Sequence, residues 1–149
     1  MIEPLRITFG VNCPPEQTFE LWTAQTSTWW PTTHTISAQP DVEVVIEPGV
    51  GGRIYERTRM GEEHDWGQVT LWEPPHRLGY LWHLRQDRAD ATEVEITFAA
   101  SDSDGTTVSI EHRGWERLGT RGPERRQANE HGWSGLLPSF RAAAALVRR

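Results

Sequence analysis

Few side chains in this sequence stand where they could do chemistry, and His112 is the foremost. Val108, Ile110 and His112 alternate along one stretch, which puts the imidazole on the apolar side of a strand, near its end. An imidazole there can donate to a ligand carbonyl or exchange a proton near neutral pH. The competing reading is a core histidine bonded to a backbone carbonyl or to a glutamate. In Tyr55-Glu56-Arg57, Tyr55 and Arg57 share one face and Glu56 takes the other. An inward Glu56 carboxylate would need a nearby Arg or His, whereas an outward one is ordinary sheet surface. Parity leaves both open, because Ile54 shares the side of Glu56 and Tyr55 suits either environment. Cys13, the one cysteine, precedes Pro14-Pro15 at a strand end and reads as a buried thiol rather than a nucleophile.

No established catalytic motif accompanies these residues. The sequence has no His-Glu-x-x-His, no Gly-x-Ser-x-Gly, and no Gly-x-Gly-x-x-Gly after a strand. Its six histidines lack metal-ligand spacing, so no metal site is expected, and no catalytic residue or cofactor is assigned. All 15 basic residues are Arg, and the absence of Lys excludes a Schiff-base lysine and a Walker-type phosphate loop. What the chain has in quantity is tryptophan, eight in 149 residues. The indole suits an apolar wall that also needs a polar tip, so it serves core packing and the lining of a ligand cavity equally. Tyr80 with Trp82 makes the clearest aromatic wall. Trp29-Trp30 cannot hide both rings on one helix face, so one ring is expected to point toward a pocket or a partner. Trp66, Gln68, Thr70 and Trp72 share one strand face, and Gly67, Val69 and Leu71 the other. Both faces carry apolar groups, which suggests cover on both sides.

The elements that must hold these residues follow from periodicity. Arg6 to Val11 reads as a first strand, stopped by Pro14-Pro15-Glu16, which opens a helix carrying Phe19 and Trp22. A second short helix or turn is expected over Ser27 to Trp30. From Asp41 the period becomes 2: strands are expected around Val42 to Ile46, Arg53 to Thr58, His64 to Glu73, His76 to Arg85, Thr92 to Ala100 (Val94, Ile96 and Phe98 aligned) and Thr106 to Gly114. Short turns between sequential strands make an antiparallel meander with one apolar face. Gly119 to Gly122 is expected to be a linker into a long terminal helix, Gly122 to Arg149, whose Trp133, Leu136, Leu137, Phe140, Ala143, Ala144 and Val147 form one stripe. Arg148 and Arg149 would complement the negative end of that helix. Gly132 and Gly135 weaken it, and Pro138 is expected to kink or break it near Ser134. The helix must lie across the apolar face of the sheet.

Composition narrows the partners. A net charge of −6 and a pI near 5.5 argue against nucleic-acid backbone binding, and arginine pairs are too small a cluster for anionic lipid. No secretory signal and no membrane span are visible, so a soluble, cytoplasmic protein of one domain over 1–149 is expected.

At this level the chain resembles the helix-grip superfamily, also called START-like or Bet v 1-like, and within it the group named after the activator of Hsp90 ATPase homologue 1. The match runs through Pro15-x-x-x-Phe19-x-x-Trp22 and Trp29-Trp30, Gly51-Gly52-Arg53-Ile54-Tyr55-Glu56-Arg57, and Trp66-Gly67-Gln68-Val69 with Trp72-Glu73-Pro74-Pro75-His76-Arg77-Leu78. It continues through Trp82, Thr92-Glu93-Val94-x-Ile96-x-Phe98, Gly105-Thr106-x-Val108 to Glu111-His112-Arg113-Gly114-Trp115, and Gly132-Trp133, in order over nearly the whole chain. The resemblance implies an α+β helix-grip fold, β-α-α-β6-α, with an apolar cavity between a curved sheet and the long helix. Superfamily members carry lipids, sterols, polyketides or plant hormones, some are cyclases or hydrolases, and the group's name comes from a co-chaperone.

Three functions are therefore expected, in this order. The first is binding of a hydrophobic or aromatic small molecule, with Tyr55, Glu56, Trp66, Tyr80, Trp82, Phe98, His112, Trp115 and Trp133 as the candidate ligand-binding residues. The second is an enzyme of the cyclase, dehydratase or hydrolase type that uses His112 with Glu56 or Tyr55, which requires those side chains to converge. The third is a partner of an Hsp90-type chaperone. A homodimer is compatible with the acidic surface.

Overall fold

Seven strands form one antiparallel sheet, and the chain order explains how. In the computed structural model, which describes residues 2–147, the strands are β1 (Leu5–Val11), β2 (Glu43–Ile46), β3 (Arg53–Arg57), β4 (Glu63–Glu73), β5 (Arg77–Trp82), β6 (Thr92–Ser101) and β7 (Gly105–Arg113). They lie in the order β1-β7-β6-β5-β4-β3-β2: a meander from β2 to β7, with β1 closing against the last strand. Helix α1 (Pro15–Thr23) and helix α2 (Gly122–Ala145) cover the inner face of this curved half-barrel. Arg148 and Arg149 lie outside the described residues. No described helix is long and apolar enough to cross a membrane.

The inner face is built by alternation. Val94, Ile96 and Phe98 on β6 and Val108, Ile110 and His112 on β7 are all buried, and they meet Phe9 and Leu5 of β1 through the register Phe9↔Val108 and Leu5↔His112. On α2, Trp133, Leu136, Leu137, Phe140 and Ala144 are buried. Phe140 is fully enclosed, edge-on to Trp22 and Trp29 at 4.8 and 4.9 Å. Each aromatic removed from water in this way contributes roughly 2–3 kcal/mol.

The outer face is held by arginine forks. Arg113 of β7 reaches Glu111 on its own strand and Glu93 and Glu95 on β6, Arg77 bridges Glu73 and Glu95, and Arg53 bridges Glu63 and Asp65. A guanidinium holds five donors in a rigid planar fork, against three rotatable ones on an ammonium, which gives the Lys-free composition a structural use.

Several expectations are corrected. The expected second short helix or turn takes the form of two 3₁₀ turns, Thr26–Thr28 and Thr32–His34. The expected linker is itself 3₁₀ over Trp115–Arg121, anchored by the buried Trp115 and bent at Gly119, whose φ is 61°. Strand β5 stops at Trp82 because the chain turns there, with Gln86 N–H bonded to His83 O and Arg85 at φ 63°. Helix α2 runs unbroken through Pro138. Pro138 and Ser134 lie on its exposed side, where water can serve the carbonyl left without an N–H, while the buried residues on either side keep the helix packed.

The simple alternation of β4 also fails. Its pairing slips once opposite Ile54/Tyr55 and again between Val69 and Leu71. The slips bring Trp66 and Val69 inside, at 0% and 1% exposure, and let Trp72 reach the ring of Phe19 at 5.2 Å. A bulge resets which face a side chain takes. Gly67 is needed beside it, because a Cβ there would stand 2.0 Å from the carbonyl oxygen of Leu81.

Candidate functional site

The candidate site is a cavity of about 230 Å³ between the first half of α2 and the far end of β5 and β6. Three tryptophans, Trp30, Trp82 and Trp133, form its aromatic walls, with Leu84 and Leu136 beside them. Each wall is fixed from behind. Trp30 donates its indole N–H to His34 O at 2.9 Å and leans on Trp66 and Trp82, at ring distances of 5.0 and 5.9 Å. The Trp29-Trp30 pair is thus divided: Trp29 enters the core, donating to Leu21 O, and Trp30 faces the cavity. His34 crosses to α2, its Nε2 3.2 Å from Gly132 O, and a Cβ on Gly135 would press on its ring at 3.1 Å.

Trp133 is held by His112. The indole can only donate, so at 3.0 Å the Nδ1 of His112 must accept. Nε2 of His112 then carries the proton and donates to Thr92 Oγ1 at 2.7 Å. The backbone carbonyl of His112 accepts from Trp115 Nε1 at 3.0 Å, and the Trp115 ring lies 4.4 Å from the imidazole. Burial, with the charge of Arg125 adding to it, pushes the pKa of His112 down to about 3. It is a neutral, fully satisfied imidazole at neutral pH, standing behind the cavity wall and orienting Trp133 and Thr92, which line it. Of the two readings its sequence position left open, the structural one describes its geometry, with Trp133 and Thr92 as partners in place of a carbonyl or a glutamate.

Glu56 points inward and is also fully engaged. Its carboxylate accepts from Ile36 N at 2.5 Å, Ser37 N at 3.0 Å and Trp66 Nε1 at 2.8 Å. Burial would raise its pKa, but these hydrogen bonds outweigh it and hold the group below the usual carboxylate value. Glu56 therefore pins the loop after the second 3₁₀ turn to the sheet. Tyr55 lies on the opposite face under Arg53, 4.2 Å away, and accepts from Arg57 at 2.9 Å. The expected convergence of His112 with Glu56 or Tyr55 does not occur. Each has its own set of partners, and Tyr55 is on the outer side.

Of the nine candidate residues, Trp82 and Trp133 line the cavity. Trp66 backs Trp82 and Trp30. Tyr80 is enclosed, with burial raising its hydroxyl pKa far above ordinary and Trp22 opposing that in part. Phe98 packs edge-on to Phe19 at 5.3 Å.

The polar residues of the cavity lining are ones that alternation did not reveal: His34, His83, Arg85, Gln86, Thr92, Arg125 and Asn129. His83 is 8% exposed, and its Nδ1 is, among the described residues, the one buried side-chain nitrogen or oxygen without a hydrogen-bond partner. Buried polar atoms are nearly always paired, so an unpaired one in a residue that lines a cavity marks a place where the chain supplies no partner of its own. Parity along β5 would turn His83 away from Trp82, but the strand ends there and its N–H is tied to Trp66 O. Arg125 and Asn129 precede Trp133 at intervals of four on α2, a signal the sequence does contain once the apolar stripe is extended backwards as a polar one.

Residues 12–145 match the family described as activator of Hsp90 ATPase homolog 1-like protein. The chain belongs to that family. Among solved structures it is similar to the anthrahydroquino-γ-pyrone synthase Txn09, at 32% identity over 83% of this chain and 84% of that one, with a TM-score of 0.58. It is also similar to CalC from Micromonospora echinospora, a self-sacrificing resistance protein, at 27% identity over 95% and 94%, with a TM-score of 0.69. The Aha1 dimer from Colwellia psychrerythraea shares the fold at 18% identity over 98% of both chains, with a TM-score of 0.65. No curated protein sequence matches the chain. The family and its helix-grip fold agree with the resemblance read from the sequence.

Proposed function

We propose that this protein binds a compact aromatic small molecule in the cavity between α2 and the β5–β6 end of the sheet. The observation that carries the reading is the unpaired Nδ1 of His83 beside three tryptophan walls. Apolar walls supply affinity, and a small number of polar groups orient the ligand. At about 230 Å³ the space is below the usual range of roughly 300–1,000 Å³ for ligand pockets, and suits a fused-ring molecule better than a sterol or a lipid chain. The walls are braced by hydrogen bonds from Trp30 and Trp133, which favours a preformed site over one assembled by the ligand.

The test is saturable quenching of tryptophan fluorescence by 2-naphthol, repeated on Ala128→Trp. Ala128 is exposed on the cavity rim, so the new indole obstructs the mouth without entering the core. Binding by the wild type that weakens at least tenfold in the variant is expected. No binding, or binding unchanged by the obstruction, refutes the proposal.

A second reading, conversion of the ligand rather than storage, has two supports: the 32% identity to a synthase and the imidazole of His83 in the cavity, able to exchange a proton with a bound hydroxyl. It differs from the first in that the molecule released from protein purified from its host would differ from the one supplied. The co-chaperone reading rests on the family description alone.

A further inference from the structure

The charge of the cavity is the reverse of the charge of the protein. The chain has 21 acidic residues against 15 arginines, yet the cavity lining contains Arg85 and Arg125 and no Asp or Glu. Arg85 is already committed, donating to Thr35 O at 2.6 Å and reaching Thr33 O. Arg125 is not. Among the described residues its guanidinium makes no hydrogen bond and no ion pair: Asp90 and Glu124 attract it only at a distance, and Asp90 is bonded to Arg121 at 3.1 Å. Arginines on the outer sheet face reach as many as three carboxylates, so a half-buried one left alone on a cavity wall is out of pattern.

The field of Arg125 also points inward. Its charge is felt by His112, behind the Thr92 and Trp133 walls, and burial together with Arg121 lowers its own pKa despite the opposing pull of Asp90 and Glu124. A cation disfavoured by its surroundings is relieved by an anion brought to it.

We infer that the ligand of this cavity is an aromatic carboxylate, with its fused rings against the tryptophans and its carboxylate on the planar fork of Arg125. The fork matches a carboxylate with two parallel N–H···O bonds, and such charge-assisted bonds are about twice as strong as neutral ones. The ring hydroxyl or carbonyl of such a molecule would meet His83 Nδ1, which can donate or accept according to tautomer. This inference rests on the cavity being the binding site, as proposed above.

The experiment compares 2-naphthoate with 2-naphthamide, the same rings with and without the charge, by calorimetric titration against wild type, Arg125→Gln, Arg125→Lys and Ala128→Trp. Arg125 is partly exposed on a helix, so its variants are expected to fold. Wild type should prefer naphthoate by roughly tenfold or more, and the preference should narrow as salt is raised. Arg125→Gln should abolish the preference while leaving naphthamide affinity unchanged, and Arg125→Lys should keep part of it. Equal binding of the two probes, or equal weakening of both by Arg125→Gln, overturns the anionic ligand and leaves the cavity reading standing. No binding of either probe, or binding untouched by Ala128→Trp, overturns the cavity reading and this inference with it.

Discussion

His112 makes the fold acid-sensitive in a window set by one residue. In the unfolded chain it titrates near the ordinary 6.5, and in the native protein burial and Arg125 bring it to about 3. Below pH 6.5 the unfolded state takes up a proton that the native state refuses, so stability rises with pH between about 3 and 6.5 and is fully present only above that range. Each pH unit in the window is worth about 1.4 kcal/mol, so by pH 4.5 the loss reaches about 3 kcal/mol. That is a large part of the roughly 5–15 kcal/mol available to a domain. The comparison stops at pH 4.5 because below it the lowered carboxylates Glu56, Glu63 and Glu95 also act: each gives stability above 4.5 that is lost as pH falls further. Urea unfolding followed by tryptophan fluorescence at several pH values measures the slope. The control is His112→Gln, whose amide can accept from Trp133 and donate to Thr92 without titrating. It should cost about 1–2 kcal/mol at pH 7 and lack the His112 part of the slope, so the two curves cross between about pH 5 and 6 and the variant is the more stable at pH 4.5. Parallel curves would show that His112 is protonated in the folded protein or is not buried in this network, and would refute the assignment of its tautomer and role.

Two further substitutions test how the site is held. Glu56→Gln replaces an acceptor facing three N–H donors with a group that presents a donor of its own to one of them, and should cost about 2–3 kcal/mol, read as a lower urea midpoint at unchanged m and faster amide exchange at Ile36 and Ser37. An unchanged midpoint would remove Glu56 as the anchor of that loop. Gly67→Ala forces a Cβ onto Leu81 O and should cost about 3 kcal/mol or prevent folding. A loss below about 0.5 kcal/mol would mean that the β4 bulge is free to move, and with it Trp66 behind the cavity wall.

Most of the fold was legible in the sequence, because strand period and turn residues are local signals. Val94, Ile96 and Phe98 are inside as alternation requires, and Trp133, Leu136, Leu137 and Phe140 share one side of α2 as the helical period requires. What local signals could not reveal was non-local. The bulge that turns Trp66 inward depends on how β3 pairs with β4, and Pro138 is tolerated because packing on both sides of it outweighs one missing hydrogen bond. The polar side of the cavity was hidden for the same reason. His83 follows a strand that ends early, and Arg125 lies on a helical turn whose opposite neighbour is known only once β6 is in place.

The two buried histidines show why position alone did not separate structure from function. His112 shares the apolar parity of its strand, is fully enclosed, and has both ring nitrogens paired with neighbouring side chains. His83 shares no such parity, is nearly as enclosed, and has a ring nitrogen with nothing to bond. Burial puts a similar demand on each, and only one demand is met from within the chain. The same contrast divides the arginines, since those on the outer sheet face are tied to carboxylates and Arg125 is not. The unmet groups belong to residues that line the same cavity. Among the described residues one buried ring nitrogen and one half-buried guanidinium are left unmet, both in residues that line this cavity, and the proposed ligand would bring a partner to each.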